Sequence, residues 1–596
     1  MEPAQFYRQK LEDIGVIYQK LLRKKSAFGW IRTVTAVLVI LAFYLLWNIG
    51  ILWLAIVVVS LAVIFLRVLQ SDLQNRDQIA YYDLLRSLYK DELRFLDGDY
   101  HLFPDGSEHI PSTHDYTNDL DIVGKDSLFQ YINRTTSEMG SRQLSAYLQS
   151  PASPDDIARR QAATREFASR VTWIQELRAR GKKKQVTFSA LRRLQTWLDE
   201  PPVFLQFKPW KWLRYLLPTI ILTVIGLYIY DKVPSSVFYG TLLIFAYLTD
   251  KIGKKVDPIH ETLSQIAEEM GILSESLEFI EKTTFESPHL TALKERLTSG
   301  NRSASGEIHQ LHQLLSRLDL RFNKVLSIPL NMLLFWNLQQ MLELEKWKSH
   351  QQKNLTPWFE VLGHIEALYS LGMLHFNEPQ WIIPEIVPEY FELEGIQVGH
   401  PLIPVSKRIA NDVKISHKGN LMLVTGSNMA GKSTYLRSIG VNIALAMAGA
   451  PVCARHFKVS HVQLISSMRV ADNLAESTST FYSELKKLRR IIELINEGQK
   501  LFILLDEILR GTNSLDRHTG SVALIRQLIR NDSSAVVATH DLELASLKGE
   551  FPEQVFNYHF DVQVEGEELF FDYRLKPGVC TSMNASLLMK KIGIAL

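Results

Sequence analysis

The residues best suited to chemistry form one glycine-rich segment in the C-terminal third of the chain. Two glycines are separated by four residues and are followed by lysine and serine, in the run Gly426, Ser427, Asn428, Met429, Ala430, Gly431, Lys432, Ser433 and Thr434. This spacing is that of a phosphate-binding loop, whose glycines let backbone amides approach phosphate oxygens. A lysine here reaches the β and γ phosphates, and a serine hydroxyl joins a magnesium shell. The segment predicts a nucleoside triphosphate site with Mg²⁺.

Two carboxylates and a histidine are predicted to complete this site. Asp506 and Glu507 end the apolar run 501–505, so Asp506 is expected to hold Mg²⁺ directly or through water. Glu507 is expected to orient and deprotonate the attacking water. His540 ends a second apolar run, 535–539, and is predicted to sense the γ phosphate, because open α/β sheets bind ligands at the carboxyl ends of their strands. A solvent-exposed Asp-Glu pair and a purely structural histidine are the ordinary alternatives.

These side chains need a sheet to bring them together. Residues 421–424 predict a buried strand that enters the phosphate loop, and residues 435–447 predict the helix that leaves it. Short apolar runs and glycines begin near residue 391, so we place the last domain boundary close to Ile396. Before it, residues 259–280 and 311–344 have apolar side chains at helical spacing. The predicted fold class is a helical region followed by a C-terminal α/β P-loop domain.

The composition describes a folded chain without a global charge. The 596 residues include 66 Lys+Arg and 64 Asp+Glu, for a net charge of +2. No overall positive field therefore points to nucleic acid, and the length suits about four domains of ~150 residues. Two cysteines, Cys453 and Cys580, exclude a disulfide framework and fit a reducing compartment.

Two uncharged regions predict helical hairpins that cross a membrane. Residues 33–66 carry no charge, and a turn is expected near 48–50. The run is too long for one helix across ~30 Å of hydrocarbon, but long enough for two short ones. A second pair, 215–230 and 233–249, is separated only by residues 231–232. A pair of buried helical hairpins is the alternative interpretation.

The charges around these regions predict the topology. Cations flank the outer ends of both hairpins, namely Arg23, Lys24, Lys25, Arg32, Arg67, Arg76, Lys208, Lys211, Arg214, Lys251, Lys254 and Lys255. By the positive-inside rule the outer ends are cytoplasmic and the turns face outward. Residues 1–25 are charged and helix-like, so we expect no cleavable signal peptide. The sequence predicts a multi-pass protein of the cytoplasmic (inner) membrane, with its C-terminal domain in the cytoplasm.

Several segments together resemble the MutS DNA mismatch-repair family. The ATPase domain of that family is similar to residues 425–434, 504–516 and 538–540, and also to 399–401, 479–484 and 575–578 in the same order. Upstream, residues 121–148 are similar to the stretch that opens the helical core of the family. The resemblance is loose over residues 115–390 and close over 396–596.

The resemblance implies a dimeric, ABC-like P-loop ATPase that uses ATP and Mg²⁺ and encloses each ATP between two copies of the chain. Ser479 matches the serine that the partner presents to the γ phosphate, and residues 515–516 match the loop that crosses the dimer seam. Asn428 matches the P-loop asparagine of the family. Arg408 falls where an aromatic residue commonly stacks on adenine, and arginine can also stack.

Departures from the family are equally informative. Its mismatch reader is an N-terminal domain with a Phe-x-Glu wedge, whereas the first hundred residues here predict a helix and a hairpin, so we expect the reader to be absent. Leu509 and Ser477 replace glycines that are usual in the family, which predicts slower or differently coupled hydrolysis. The main basic cluster, 178–184, fits anionic lipid or a solvated helix face as readily as duplex phosphates.

Two functions therefore stay open at this point. One is a DNA-associated ATPase in a mismatch-repair-related role, and the other is a membrane-coupled mechanical ATPase that acts on its own hairpins or on a protein partner, which the sequence does not identify. The predicted domains are an N-terminal amphipathic helix (1–27), hairpin 1 (28–68), a connector (69–115), a first core part (116–214), hairpin 2 (215–249), a second core and lever part (250–395) and the ATPase domain (396–596).

Overall fold

The computed structural model describes residues 2–47, 50–299, 302–351, 355–427, 430–468, 480–565 and 568–580. The helices in this part are α1 (Pro3–Leu46), α2 (Ile51–Leu96), α3 (Leu128–Ile132), α4 (Glu138–Gln149), α5 (Pro154–Ser169), α6 (Val171–Gly181), α7 (Phe188–Asp199), α8 (Trp210–Ile229), α9 (Ser235–Leu263), α10 (Ala267–Glu281), α11 (Pro288–Glu295), α12 (Ala304–Asp319), α13 (Lys324–Leu334), α14 (Trp336–Gln351), α15 (Leu355–Asn377), α16 (Lys432–Ala448), α17 (Thr480–Asn496), α18 (Ser514–Arg530) and α19 (Leu547–Glu550). Short 3₁₀ turns lie at Ser107–His109, Ser264–Ile266, Leu320–Phe322 and Leu542–Ser546.

The strands of the described residues are short. They are β1 (Thr298–Ser299), β2 (Arg302–Ser303), β3 (Glu385–Val387), β4 (Leu393–Val398), β5 (Asn411–Ile415), β6 (Leu421–Thr425), β7 (His456–Ser460), β8 (Gln463–Ser467), β9 (Leu501–Asp506), β10 (Ser534–Thr539), β11 (Val555–Phe560), β12 (Gln563–Glu565), β13 (Glu568–Phe570) and β14 (Leu575–Pro577).

The chain divides into two units. The first comprises Met1–Asp99, Thr172–Thr283 and Arg296–Phe359, and the second comprises Tyr100–Val171, Thr284–Glu295 and Glu360–Leu596. This division differs from the predicted domains, because residues 116–171 and 360–395 of the predicted core fall in the unit that carries the ATPase sheet.

Long helices dominate the first unit. α1 and α2 pack together, and the ring of Tyr7 near the start of α1 lies 6.0 Å from that of Tyr89 near the end of α2. The two helices are therefore antiparallel, as predicted for a hairpin. α2 continues to Leu96, so residues 69–96 of the predicted connector extend the hairpin helix. Asn48 and Ile49 of the predicted turn lie outside the described residues.

Three helices are long and apolar enough to cross a membrane, by length and composition: Pro3–Leu46, Leu52–Leu96 and Trp210–Ile229. Only 11%, 6% and 6% of their most apolar windows is buried, which does not favour the alternative of buried hairpins. The fourth predicted span, 233–249, lies in α9 and is not among these three, since α9 becomes charged from Asp250 onward. α8 and α9 nonetheless pack as a pair, with the rings of Tyr228 and Phe238 stacked at 4.1 Å.

A six-stranded sheet organises the second unit, in the order β14-β11-β6-β10-β9-β8. The five strands from β11 to β8 are mutually parallel, and β14 is antiparallel to β11. β6, β9 and β10 are buried along their full length, as expected for apolar strands covered on both faces. A four-stranded sheet, β3-β7-β4-β5, belongs to the same unit. β3 precedes the boundary predicted at Ile396, and β4 runs across it.

Candidate functional site

The carboxyl ends of three adjacent parallel strands bring the predicted chemical groups together. In register, Thr539 of β10 pairs with Thr425 of β6, and Ala538 pairs with Asp506 of β9. The phosphate loop, Glu507 and His540 directly follow these strands. Because parallel strands end at one edge of the sheet, the three segments meet there.

The phosphate loop has the backbone that its glycines allow. Gly426 has a φ of +146° and Gly431 a φ of +106°, values at which a side chain is strained. A Cβ at Gly426 would also lie 2.8 Å from the carbonyl oxygen of Phe560. α16 begins at Lys432, directly after Gly431, so its first amides face the loop. Asn428 and Met429 lie outside the described residues.

Lys432 is buried and points back over the loop. Its Nζ donates to the carbonyl oxygens of Gly426 at 2.9 Å and Ser427 at 3.0 Å. Burial lowers the pKa of Lys432 to about 8, although the nearby Glu507 and Asp506 oppose this shift. A phosphate at this position would replace neutral carbonyl partners with a negative charge, so the lysine is arranged to gain from an anionic ligand.

Ser433 and Asp506 form a ready-made donor set for Mg²⁺. The Ser433 hydroxyl donates to Asp506 Oδ2 at 2.5 Å. The second carboxylate oxygen, Oδ1, is buried and has no hydrogen-bond partner in the described part of the chain, a situation that costs ~1–3 kcal/mol for a polar group. Hydroxyl and carboxylate oxygens are the ligands that Mg²⁺ prefers. These residues therefore fit the ion.

Glu507 is held between two side-chain partners, His540 and Arg510. Its Oε1 lies 2.7 Å from His540 Nε2, and its Oε2 lies 2.8 Å from Arg510 Nε. The hydrogen bond from His540, reinforced by Arg510, lowers the pKa of Glu507 against the effect of burial. The backbone is fixed as well, since the Glu507 N–H donates to the Ala538 carbonyl at 2.9 Å. An ionised carboxylate is thus presented at the strand end.

A cavity of about 420 Å³ lies over these groups. Its lining includes Ser427, Gly431, Lys432, Ser433, Thr434 and Glu507 from the loop and the strand end, and the apolar or aromatic residues Val398, Ile403, Ile409, Phe560 and Tyr573. A lining with both polar and apolar groups suits a nucleotide, which combines phosphates with a base.

Arg408 is not brought into this cavity. Its guanidinium donates to the carbonyl oxygens of Ile403 at 2.9 Å and Pro401 at 3.0 Å, and to the Cys453 sulfur at 3.2 Å. The side chain therefore fixes the loop that carries Ile403 and Ile409, which line the cavity instead. Tyr573, which no sequence motif indicated, also lines the cavity. Its ring packs against Gly431, where a Cβ would lie 3.1 Å from the ring.

Glu484 supports the loop after Glu507. Its carboxylate is buried and accepts the backbone N–H groups of Leu509 and, at 3.2 Å, Arg510. Leu509 has a φ of +59°, which explains why a glycine is usual at this position. Gly520 makes room for the larger residue, because a Cβ there would lie 2.4 Å from Leu509 Cδ1.

The residues predicted to act across a dimer are only partly described. Ser477 and Ser479 lie outside the described residues. Asp516 lies in the first turn of α18, where its N–H binds the Asn513 side chain at 2.9 Å. Its neighbour Leu515 is 74% exposed. Residues 515–516, predicted as a loop, therefore form the exposed start of helix α18.

The predicted basic cluster 178–184 is not a free phosphate-binding surface. Arg178 is 1% exposed and lies 2.7 Å from Glu92. The other cations also have carboxylate neighbours, at 4.0 Å for Arg180 and Glu176, 3.4 Å for Lys182 and Asp91, 2.7 Å for Lys183 and Glu275, and 3.9 Å for Lys184 and Glu268. These pairs largely neutralise the charge that a nucleic acid would need.

Part of this chain is similar to known proteins. Residues 422–591 match the family described as MutS domain V. The chain is 32% identical over 231 residues to the DNA mismatch repair protein MutS of Fusobacterium nucleatum, and 30% over 248 residues to the MutS protein homolog 4 of Homo sapiens. It is 29% identical over 289 residues to the DNA mismatch repair protein MutS of Aquifex pyrophilus.

These matches cover only part of each protein. They include 36%, 38% and 48% of this chain. They span 25%, 26% and 32% of the respective relatives, so the chain corresponds to only about a quarter to a third of the length of these three relatives.

Proposed function

We propose that this chain, a MutS-related protein by the match of its residues 422–591, binds ATP with Mg²⁺ at the edge of its six-stranded sheet and hydrolyses it. One observation carries this proposal. Lys432, Ser433 and Glu507 line one cavity, and Asp506 accepts a hydrogen bond from Ser433. These are the groups that phosphoryl transfer to water requires.

Each side chain has a separate task in this mechanism. Lys432 exchanges its two carbonyl partners for phosphate oxygens and keeps its proton at Nζ, while Ser433 and Asp506 would hold Mg²⁺. When bound, the ion would supply charge neutralisation to the phosphates. Glu507 orients the attacking water and accepts its proton on the carboxylate, which His540 and Arg510 keep in place.

Phosphate release by the purified full chain tests the proposed ATPase. Lys432→Ala should lose ATP binding and turnover together, because it removes the buried cation of the loop. Lys548→Ala, at an exposed position of α19, is the matched control and should keep both. Unchanged turnover in Lys432→Ala would contradict the proposed site.

We also propose that ATP is bound at a homodimer interface. Support comes from the resemblance of Ser479 and of residues 515–516 to the family's interface segments, and from the exposure of Leu515. The partner would supply Ser479 to the γ phosphate.

The membrane is the third part of the proposal. The three long apolar helices, with few buried side chains, support a multi-pass protein of the cytoplasmic membrane whose ATPase unit lies in the cytoplasm. Cations at the outer ends of both hairpins support this orientation.

What the ATPase drives is proposed in two forms. Relatives named for DNA mismatch repair support a role coupled to DNA. The pairing of the basic cluster 178–184 favours the second form, a mechanical ATPase that acts on its own hairpins or on a protein partner. In this form α2 transmits movement. The helix is apolar at its start and continues to Glu92, whose carboxylate lies 2.7 Å from the buried Arg178 guanidinium.

A salt-dependent DNA-binding assay on the solubilised dimer separates these two forms. Steep salt dependence and preference for branched or mismatched duplexes would support the DNA role. Intact ATPase activity without DNA binding would support the mechanical role.

A further inference from the structure

Helix α14 holds the segment that leads into α8. The Glu345 carboxylate is 2% exposed and accepts three consecutive backbone N–H groups, from Val203 at 2.6 Å, Phe204 at 3.0 Å and Leu205 at 2.7 Å. Three donors on one carboxylate fix a turn much more firmly than a single hydrogen bond does.

Two further α14 side chains hold the ends of this segment. Lys348 Nζ donates to the carbonyl oxygens of Trp197 and, at 2.6 Å, Glu200. Glu343 accepts from Arg214 Nη1 at 2.8 Å. The protein itself therefore sets the conformation of residues 197–214.

The outer side of this held segment is apolar and cationic. Val203, Phe207 and Trp212 are 42%, 52% and 80% exposed. Lys208 and Lys211 are exposed between them, and neither forms an ion pair in the part of the chain that the structure describes. Large aromatic side chains left in water beside unpaired cations indicate a surface with a missing partner.

We propose that residues 203–212 form a docking surface for anionic lipid headgroups, which rests on the proposed membrane location of α8. Phe207 and Trp212 enter the boundary between headgroups and acyl chains, and Lys208 and Lys211 bind lipid phosphates.

Two observations favour the bilayer as the occupant. The surface is continuous with the exposed apolar residues Tyr215, Leu216 and Leu222 of α8, a helix apolar enough to cross a membrane. Tryptophan and lysine together suit the headgroup region, where one provides an amphipathic ring and the other a cation for anionic lipid.

The experiment uses the full chain reconstituted in vesicles of phosphatidylcholine, alone or with phosphatidylglycerol at a 3:1 ratio. A nitrobenzoxadiazole probe is attached at Phe207→Cys, since the native Cys453 and Cys580 are buried. The matched control carries the probe at Lys282→Cys, at an exposed position after α10. Depth is measured with lipid-borne quenchers, and lipid preference with brominated phosphatidylglycerol against brominated phosphatidylcholine.

The probe at position 207 should be quenched from a shallow depth, whereas the probe at 282 should stay accessible to aqueous iodide. Lys208→Gln should reduce the preference for phosphatidylglycerol about fivefold, which corresponds to ~1 kcal/mol for one cation near an anionic surface. Lys211→Gln should do the same, and Lys282→Gln should not change it.

Two results would overturn the docking surface while leaving the proposed membrane location intact. One is an iodide-accessible probe at position 207 in a protein that resists carbonate extraction. The other is an unchanged phosphatidylglycerol preference in the Lys208→Gln, Lys211→Gln double variant. Release of the unmodified chain by carbonate would instead refute the membrane location, and the docking surface with it.

Discussion

Glu507 Oε1 lies 2.7 Å from His540 Nε2, and the same nitrogen lies 3.3 Å from Lys432 Nζ. Residues that follow three adjacent strands therefore share one polar network. If His540 donates a hydrogen bond from its Nε2–H to Glu507, this nitrogen cannot also accept a hydrogen bond from Lys432. Lys432 is then left with the two carbonyl oxygens of its own loop, which phosphate oxygens can replace.

Glu507→Gln should keep ATP binding and lower turnover by about 10²–10⁴-fold, because it removes the proposed base and leaves Lys432 and Ser433 in place. Binding and single-turnover hydrolysis are measured on the same preparation. Glu550→Gln, at a carboxylate paired with Arg526 at 2.7 Å, is the control and should be normal. If Glu507→Gln turns over ATP at the wild-type rate, Glu507 is not the general base, and His540 becomes the next candidate.

ATP affinity should depend on pH through Lys432. Burial lowers the pKa of this lysine to about 8, so its charge is present below that pH and is lost above it. Because phosphate binding needs the charged form, the association constant should be constant below about pH 7 and fall towards tenfold per pH unit well above pH 8. Calorimetric titration between pH 6.5 and 9.5 tests this. Because binding favours the charged lysine, ATP binding near and above pH 8 should also be accompanied by proton uptake. Lys432→Arg should remove this fall in the association constant. If the fall persists in the variant, another group causes it.

Arg408→Lys should raise the KM for ATP about tenfold with little change in kcat. Lysine keeps the positive charge but cannot reach Pro401, Ile403 and Cys453 together, as the guanidinium does. The loop that carries Ile403 and Ile409, which line the cavity, should then loosen. If Arg408→Ala is impaired but Arg408→Lys behaves as wild type, a direct cation–π contact with adenine is supported instead.

Much of the site follows from sequence because its determinants are local. An apolar strand, a glycine loop and a helix around Lys432, and a second strand before Asp506, are each visible within a few residues. The α/β character of the C-terminal region is confirmed for the same reason. The position of the Arg408 side chain does not follow from local sequence, because its three acceptors include Cys453, which is 45 residues away in the chain.

Other features depend on contacts that no local pattern contains. Leu509 occupies a position with φ +59°, and only the space beside Gly520 shows how the side chain is accommodated. By sequence the basic cluster 178–184 fits anionic lipid or a solvated helix face as readily as duplex phosphates. Several of its carboxylate partners, among them Glu92, Glu268 and Glu275, are distant in the chain. Spacing along the chain cannot reveal such pairs.

The membrane topology gives a separate prediction. The full chain should stay in the membrane fraction after alkaline carbonate washing, because the three apolar helices have few buried side chains. A reporter that is active only outside the cytoplasm should be active when placed at Gly50 and at Asp231. Activity at Gly50 alone would mean that α8 and α9 do not cross, in line with the shorter uncharged part of α9.

The shared site is tested by mixing two inactive variants. Ser479→Ala and Lys432→Ala should each be nearly inactive alone, since one lacks the group presented to the partner and the other lacks the loop cation. A mixed dimer pairs the intact phosphate loop of the first chain with the intact Ser479 of the second, and so assembles one complete site.

A mixed dimer should therefore reach up to about half of wild-type activity. About half of the dimers in an equal mixture are mixed, so the mixture as a whole should reach up to about a quarter of wild-type activity. ATP-bound Glu507→Gln should also run as a dimer in detergent when the nucleotide-free form does not, because nucleotide is part of the seam. Absence of rescue, together with turnover that is independent of protein concentration down to monomer, would show that each chain completes its own site.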